Sequence, residues 1–360
     1  MRTKDIIPSL TPYKPGKTIN EVKKERGLSK IVKLASNENV YGPSPLVLDK
    51  LREFGQDFQL YPDGYARELR ERVSDHLDVN RDQLIFGAGS DEIVQMLCRT
   101  YLENGSNTVM AHPTFPQYKH HAVIEGAEVR EIPVKNGYHQ LDQMLEAIDD
   151  FTRIVWLCTP NNPTGCYINE EQLLSFIKQC PEHVLIVLDE AYYEYVMADD
   201  YPDSLSLLEN YQNIMILRTF SKAYGLAGFR VGYGISSQEV IRHLNTIRGP
   251  FNVTSIGQYA ALNALEDQDY IRKVRQQNRK IQGQVEAFCR QYYLAYDPSE
   301  TNFLLIHLPK SGLDVSDQLL DEGFIVRAGE LLGIEQSIRV TIGKEEDMKE
   351  FMNVLSKCLE

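Results

Sequence analysis

The stretch Ile214-Met215-Ile216-Leu217-Arg218-Thr219-Phe220-Ser221-Lys222-Ala223-Tyr224-Gly225-Leu226-Ala227-Gly228-Phe229-Arg230 organises the whole chain. Its first four residues are apolar and read as a buried strand. The loop that follows sets one lysine between hydroxyls and an arginine, among small residues. A lysine amine can form a Schiff base with an aldehyde only when it is uncharged. Neighbouring cations and partial desolvation both favour that form. Thr219, Ser221 and Arg230 suit a phosphate, the arginine through a bidentate contact. A lysine beside a phosphate clamp points to pyridoxal 5'-phosphate. Taken alone, the same residues also fit a solvated surface loop, so their surroundings must decide.

On either side, short apolar runs alternate with helical patterns from about residue 46. The runs are Leu84 to Phe86, Thr108 to Ala111, Val129 to Val134, Ile154 to Cys158, Val184 to Leu188 and Val231 to Ile235. Continuous apolar strands separated by helices predict an α/β fold, with a mostly parallel sheet covered on both faces. The polar residues of interest all follow these runs, at the strand ends where open α/β sheets bind ligands. Gly87-Ala88-Gly89-Ser90-Asp91-Glu92 leads into a pattern with Ile93, Met96 and Leu97 on one face. A glycine-rich turn into a helix N-terminus is an anion site. A helix cap by Ser90 or Asp91 explains the same residues equally well. Glu92 stands where a dinucleotide-binding fingerprint needs its third glycine.

Residues 1–45 read as irregular, with turns at Tyr13-Lys14-Pro15-Gly16 and Tyr41-Gly42-Pro43-Ser44-Pro45. Gly16-Lys17-Thr18 resembles the tail of a P-loop, but Thr11 stands at its first glycine position and no strand precedes it. Past residue 255 a long helical pattern runs from Gln258 to Phe288, with a break expected near Asp267–Asp269. Short strands follow at Phe303 to Leu308, Phe324 to Arg327 and Ser337 to Ile342, with helices around Val315–Asp321 and Glu345–Leu359. We therefore expect a large domain over 46–265 and a smaller α+β domain over 266–360, with the 1–45 arm packed on the small domain.

The net charge of −13, spread along the chain, does not suit nonspecific binding to nucleic acid or to anionic membranes. There is no apolar run of membrane-spanning length and no signal-peptide core after Met1. Cysteines 98, 158, 166, 180, 289 and 358 form no CxxC pair, which fits reduced thiols in a cytoplasm. His112, His120 and His121 match no metal-ligand spacing, so no metal is expected. Asn252-Val253-Thr254 is a glycosylation sequon of no use in that compartment.

Individual residues each carry two readings. A carboxylate at Asp189, ending a buried strand, is costly unless paired. It is either an ordinary ion pair or cap, or the partner of a protonated ring nitrogen. Tyr192 and Asn162 could bond a ring oxygen, or be a core tyrosine and a turn asparagine. Phe115 could stack on a ring, or fill the core. Arg339 could be a structural ion pair. It could equally bind the acidic ends of two substrates in turn, a carboxylate and a phosphate ester.

The series Asn162-Pro163-Thr164-Gly165, Asp189-Glu190-Ala191-Tyr192 and Ser221-Lys222 to Arg230 resembles the fold-type I pyridoxal-phosphate aminotransferases in order and in strand-end placement. Over nearly the whole chain the similarity is to the histidinol-phosphate aminotransferases. It is carried by Pro12 to Lys17, Lys33 to Asn39, Tyr61-Pro62-Asp63, Pro250 to Val253 and Ile338 to Gly343. Val40 stands where that family usually has proline. The resemblance implies that Lys222 bonds the cofactor aldehyde and moves the substrate proton. It implies that Asp189 pairs with the ring nitrogen, and that Asn162 and Tyr192 bond the ring oxygen. The Ser90 and Asp91 amides, Thr219, Ser221 and Arg230 would hold the phosphate. Tyr61 would reach that phosphate from a partner subunit, making a homodimer with shared sites. Phe115 would stack on the ring, Arg339 would bind the substrate's acidic end, and Arg327 and Tyr13 would lie near the substrate phosphate. The implied substrates are histidinol phosphate and glutamate with 2-oxoglutarate. An aromatic aminotransferase and a phosphothreonine decarboxylase share this pattern. A noncatalytic pyridoxal-phosphate sensor would carry a DNA-binding domain and basic patches, which this sequence lacks.

Overall fold

The computed structural model describes residues 2–4, 6–10, 12, 16, 18–55 and 59–360. Among them are twelve strands: β1 Val32–Lys33, β2 Leu84–Gly87, β3 Asn107–His112, β4 Glu128–Pro133, β5 Thr152–Cys158, β6 Leu185–Asp189, β7 Ile214–Thr219, β8 Gly232–Ser236, β9 Phe303–His307, β10 Phe324–Ile325, β11 Arg327–Ala328 and β12 Ser337–Thr341.

Seven strands form one sheet in the order β2-β8-β7-β6-β5-β3-β4. All its pairings are parallel except those of β8, which runs against both neighbours. The apolar runs make this sheet because both faces are buried. Val155, Leu157, Ile186, Leu188, Ile214 and Ile216 enter one core, while Ile154, Trp156, Leu185, Val187, Met215 and Leu217 enter the other. That two-residue alternation is the pleat, and apolar residues on both sides of it need helices on both sides. Helices Arg67–Leu77, Glu170–Gln179 and Ser255–Ala264 cover the first face. Helices Ser90–Tyr101, Gln117–Ile124 and Gln238–Ile247 cover the second.

A third core lies under the antiparallel sheet β11-β12-β9, where Leu304, Ile306, Val340 and Phe351 are wholly buried. Helix Gln268–Gln291 joins the cores: Ile271 and Val274 belong to the first, Ile281, Val285 and Cys289 to the third. The break expected near Asp267 is real, since Asp267 caps this helix by accepting the Tyr270 amide at 3.0 Å. No helix among the described residues is long and apolar enough to cross a membrane.

Three expectations need correction. Residues 1–45 are not irregular throughout: they hold helix Ile19–Arg26 and strand β1. The signal was present in Thr18 and Glu21, which form a reciprocal capping box, with Gly27 as a left-handed C-cap. The run Phe324 to Arg327 is not one strand. β10 pairs in parallel with β1, and after Val326 the chain turns to pair β11 against β12. Neither Ser90 nor Asp91 caps the Ser90–Tyr101 helix: Gly89 is the N-cap, at φ +81, and no side chain caps it. The 1–45 arm is also stitched to the third core at Leu34. The Leu34 amide donates to the Ile325 carbonyl at 2.7 Å, and the Thr341 amide donates to that of Leu34 at 2.8 Å.

Candidate active site

The ends of β2, β3, β5, β6 and β7 meet at one edge of the large sheet, and a cleft of about 890 Å³ opens there towards the small one. Lys222 stands in it, partly buried, its amine 3.3 Å from the Ser36 carbonyl and 5.7 Å from the centre of the Tyr192 ring. Burial, together with the Arg339 and Arg230 cations, lowers the amine pKa to about 8, while Asp91 and Glu38 oppose the shift. About a tenth of the amine is therefore uncharged at pH 7, the form a nucleophilic lysine requires.

Asp189 ends β6 as expected, buried at 4% exposure. Burial raises its carboxyl to about 6, against the Tyr118 hydroxyl and the Ala191 amide, which favour the ionised form. Tyr118 donates to Oδ2 at 2.5 Å and Ala191 to Oδ1 at 3.2 Å. Tyr118 was not foreseen from the sequence. It sits on helix Gln117–Ile124 and stacks on Trp156 of β5 at 4.6 Å, so only the strand order brings it to Asp189. Among the described residues Asp189 is thus held by neutral donors and pairs with no cation, and it lines the cleft.

Tyr192 accepts a 2.9 Å bond from the Asn37 amide group, leaving its own hydroxyl proton free for the cleft. Burial pushes this phenol's pKa well up, so it stays protonated. Asn37, named above only within the Lys33 to Asn39 stretch, is a further residue whose role was not foreseen. It is buried at φ +55 and tied to Thr341 of β12, whose hydroxyl accepts its amide N–H at 2.9 Å. Asn162 accepts from the Arg339 guanidinium at 2.5 Å, and Arg339 also donates to the Ala35 carbonyl at 2.7 Å over the Phe303 ring. Phe115 lines the same cleft and meets Tyr118 edge-on at 5.4 Å. Arg327 lines it too, directly across the strand pair from Arg339.

Opposite Lys222, the turn Gly87-Ala88-Gly89 brings the first amides of helix Ser90–Tyr101 into the cleft, with no intrahelical acceptor. Arg230, itself at φ +54, donates to the Ser221 hydroxyl at 3.3 Å and lies 3.6 Å from the Asp91 carboxylate. Thr219 accepts the Ser221 amide at 3.1 Å. Two glycines keep this cradle open. A Cβ at Gly89 would come within 2.4 Å of the Arg230 guanidinium, and one at Gly232 within 2.3 Å of the Ser90 nitrogen.

These donors fit pyridoxal 5'-phosphate. An anion cradle, an amine of lowered pKa, a buried carboxylate held by neutral donors, and a phenol with a free proton all face one cleft. Ser90, Asp91, Thr219, Ser221, Arg230, Lys222, Asp189, Tyr192 and Asn162, the cofactor residues expected from the sequence, all line this one cleft. Tyr61 is not brought to this cleft: it is 81% exposed and stacks on Phe251 at 4.6 Å. Tyr13 lies outside the described residues.

Comparison with known proteins agrees with the geometry. The family model described as aminotransferase class I and II matches residues 29–355. The chain is 52% identical over its whole length to a histidinol-phosphate aminotransferase of Anoxybacillus flavithermus, covering 97% of that protein. It is 53% identical to one from a Geobacillus species, covering all of this chain and 99% of the other. Among solved structures, histidinol-phosphate aminotransferase from Sinorhizobium meliloti, in complex with pyridoxal-5'-phosphate, superposes with a TM-score of 0.91. That match is at 28% identity and covers 99% of this chain and 97% of the other. A lysine cleft at the C-terminal edge of a mostly parallel sheet and a family match over most of the length lead to one conclusion: this chain belongs to the class I and II aminotransferases.

Proposed function

We propose that the chain exchanges an amino group between L-histidinol phosphate and 2-oxoglutarate, giving imidazole acetol phosphate and L-glutamate, a step of histidine biosynthesis. The observation that carries the substrate reading is the pair Arg327 and Arg339. Like charges directly opposite on neighbouring strands destabilise a sheet. Placing two guanidiniums across β11 and β12, in the cleft that holds Lys222, is favourable when an anion bridges them. A phosphate dianion offers more charge and more oxygens for this than a carboxylate.

When bound, pyridoxal 5'-phosphate supplies the aldehyde that takes up the amino group and the ring that withdraws the electron pair left at the donor's Cα. The residues do the rest. Asp189 keeps a proton on the ring nitrogen, and Tyr192 donates its hydroxyl proton to the ring oxygen while Asn37 fixes its direction. Asn162 shares that oxygen and orients Arg339. Lys222 holds the cofactor between turnovers, and its freed amine moves the donor's Cα proton. Phe115, on the cleft wall, would stack on the ring.

Arg327→Ala is expected to lower kcat/KM for histidinol phosphate by at least about tenfold, since charge-assisted bonds to phosphate are each worth roughly 1.5–3 kcal/mol. The value for phenylalanine, which has no phosphate, should change much less. Steady-state rates for both donors with 2-oxoglutarate check this. Equal losses would assign Arg327 to structure or to a shared group.

We also propose a homodimer whose subunits share sites. Leu60, Tyr61, Tyr65 and Phe251 form an exposed apolar patch of the kind a second subunit covers. From there Tyr61 would reach the partner's cofactor phosphate. Mixing inactive Lys222→Ala subunits with impaired Tyr61→Phe subunits should then restore activity, because each hybrid has one site free of both defects. Hybrids that form without recovering activity would place Tyr61 in its own subunit's site. We place the enzyme in the cytoplasm, on the support of six cysteines that are all free thiols, five of them buried.

A further inference from the structure

Asn252 begins the sequon that the sequence left without a use, and the structure gives its side chain a task. Thr254 caps the helix Ser255–Ala264, accepting the Gly257 amide at 3.1 Å. Asn252 instead bridges separate loops. Its Nδ2 donates to the Glu92 carboxylate at 2.7 Å and to the Phe86 carbonyl at 3.0 Å. Its Oδ1 accepts from Arg248 at 2.9 Å, and the same guanidinium nitrogen donates to the Gly64 carbonyl at 2.6 Å. Glu92 takes the Ala88 amide at 2.6 Å on the oxygen that Asn252 also bonds. One carboxylate oxygen thus ties the middle of Gly87-Ala88-Gly89 to a distant loop.

This bond selects which amides the cleft receives. Ala88 gives its N–H to Glu92, and Gly89 gives its own to the Gly87 carbonyl at 2.8 Å. Ser90 and Asp91 remain, at the start of the helix and on the wall of the cleft. A carboxylate this close to an anion site repels the anion it helps to seat. Its presence is explained if shaping the turn outweighs that repulsion, with two donors drawing on its charge. The bridge also starts from the exposed patch. Phe251, just before Asn252, holds the left-handed φ of +57, a costly conformation for a bulky residue, and stacks on Tyr61.

We propose that Asn252 and Glu92 are positioning residues that aim the Ser90 and Asp91 amides at the cofactor phosphate. This rests on the assignment of the Gly87–Asp91 turn as the phosphate cradle. The test is titration of the apo-protein with pyridoxal 5'-phosphate and with pyridoxal, which lacks the phosphate. N252A and E92Q should each weaken pyridoxal 5'-phosphate binding by at least about tenfold, the worth of a charge-assisted bond, and change pyridoxal binding by less than about twofold. Thermal unfolding of each apo variant is followed in parallel. If N252A does not fold, E92Q, which keeps the size of the side chain, decides. Equal weakening of both ligands, or unaltered binding of pyridoxal 5'-phosphate, overturns the positioning role. Wild-type protein that binds the two compounds equally well would overturn the cradle itself.

Discussion

Asp189→Asn is expected to yield a protein that still binds pyridoxal 5'-phosphate but turns over at least about a thousandfold more slowly, a barrier increase of roughly 4 kcal/mol. Among the described residues, the carboxylate at the end of β6 bonds only a phenol and an amide. Burial makes its charge expensive there, which is why its pKa rises to about 6. A cationic ring nitrogen would repay that cost, and the carboxylate would in turn keep the nitrogen protonated. An asparagine has nearly the same shape and can keep one bond of the pair, so the cofactor stays. It carries no charge, so the ring loses most of its pull on electrons. Turnover measured alongside the bound-cofactor absorbance separates the two effects. Near-normal rates with bound cofactor would remove Asp189 from this role.

Lys222→Ala should be at least as severe, with turnover lower on the order of ten-thousandfold, because in the proposed role Lys222 is both the covalent anchor and the group that moves the proton. The wild-type residue also predicts a pH dependence. Its amine pKa is lowered to about 8, so the uncharged fraction grows about tenfold per unit below that value and levels off above it. Capture of the aldehyde by wild-type apo-protein should therefore quicken with rising pH and flatten beyond about 8. Borohydride reduction of the loaded enzyme, followed by peptide mass spectrometry, should find the adduct on Lys222. A reduced adduct on a different lysine would end the assignment.

Most of the sheet could be read in advance because its strands are buried on both faces. Such strands announce themselves as unbroken apolar runs, and Val184 to Leu188 or Ile154 to Cys158 hardly admit another reading. The residues after them, Asp189, Lys222 and Asn162, were legible because chain order alone puts them at one edge. Tyr118 was not, since its meeting with Asp189 depends on β3 lying two places from β6 in the sheet. Asn37 was hidden for a similar reason: its partners, Tyr192 and Thr341, lie 155 and 304 residues away. Helix Ile19–Arg26 is a different kind of miss. It buries only Val22, so its apolar pattern is faint, and only the cap residues gave it away. The split of β10 from β11 follows from a change of partner within three residues, which no period in the sequence records.

Helix Gln268–Gln291 has 24 residues, hence a length of about 36 Å, and it is rooted at one end beside the chemistry and at the other beneath the strands that carry Arg327 and Arg339. It therefore acts as a rigid spar. A tilt of only about 5° at its root would carry the far end by about 3 Å, enough to break or make a hydrogen bond to an anion. Lengthening it by a single residue would turn the far end by about 100° and point Ile281, Val285 and Cys289 away from their core. Its stiffness and phase thus act as a ruler between the core under the large sheet and the strands that carry Arg327 and Arg339.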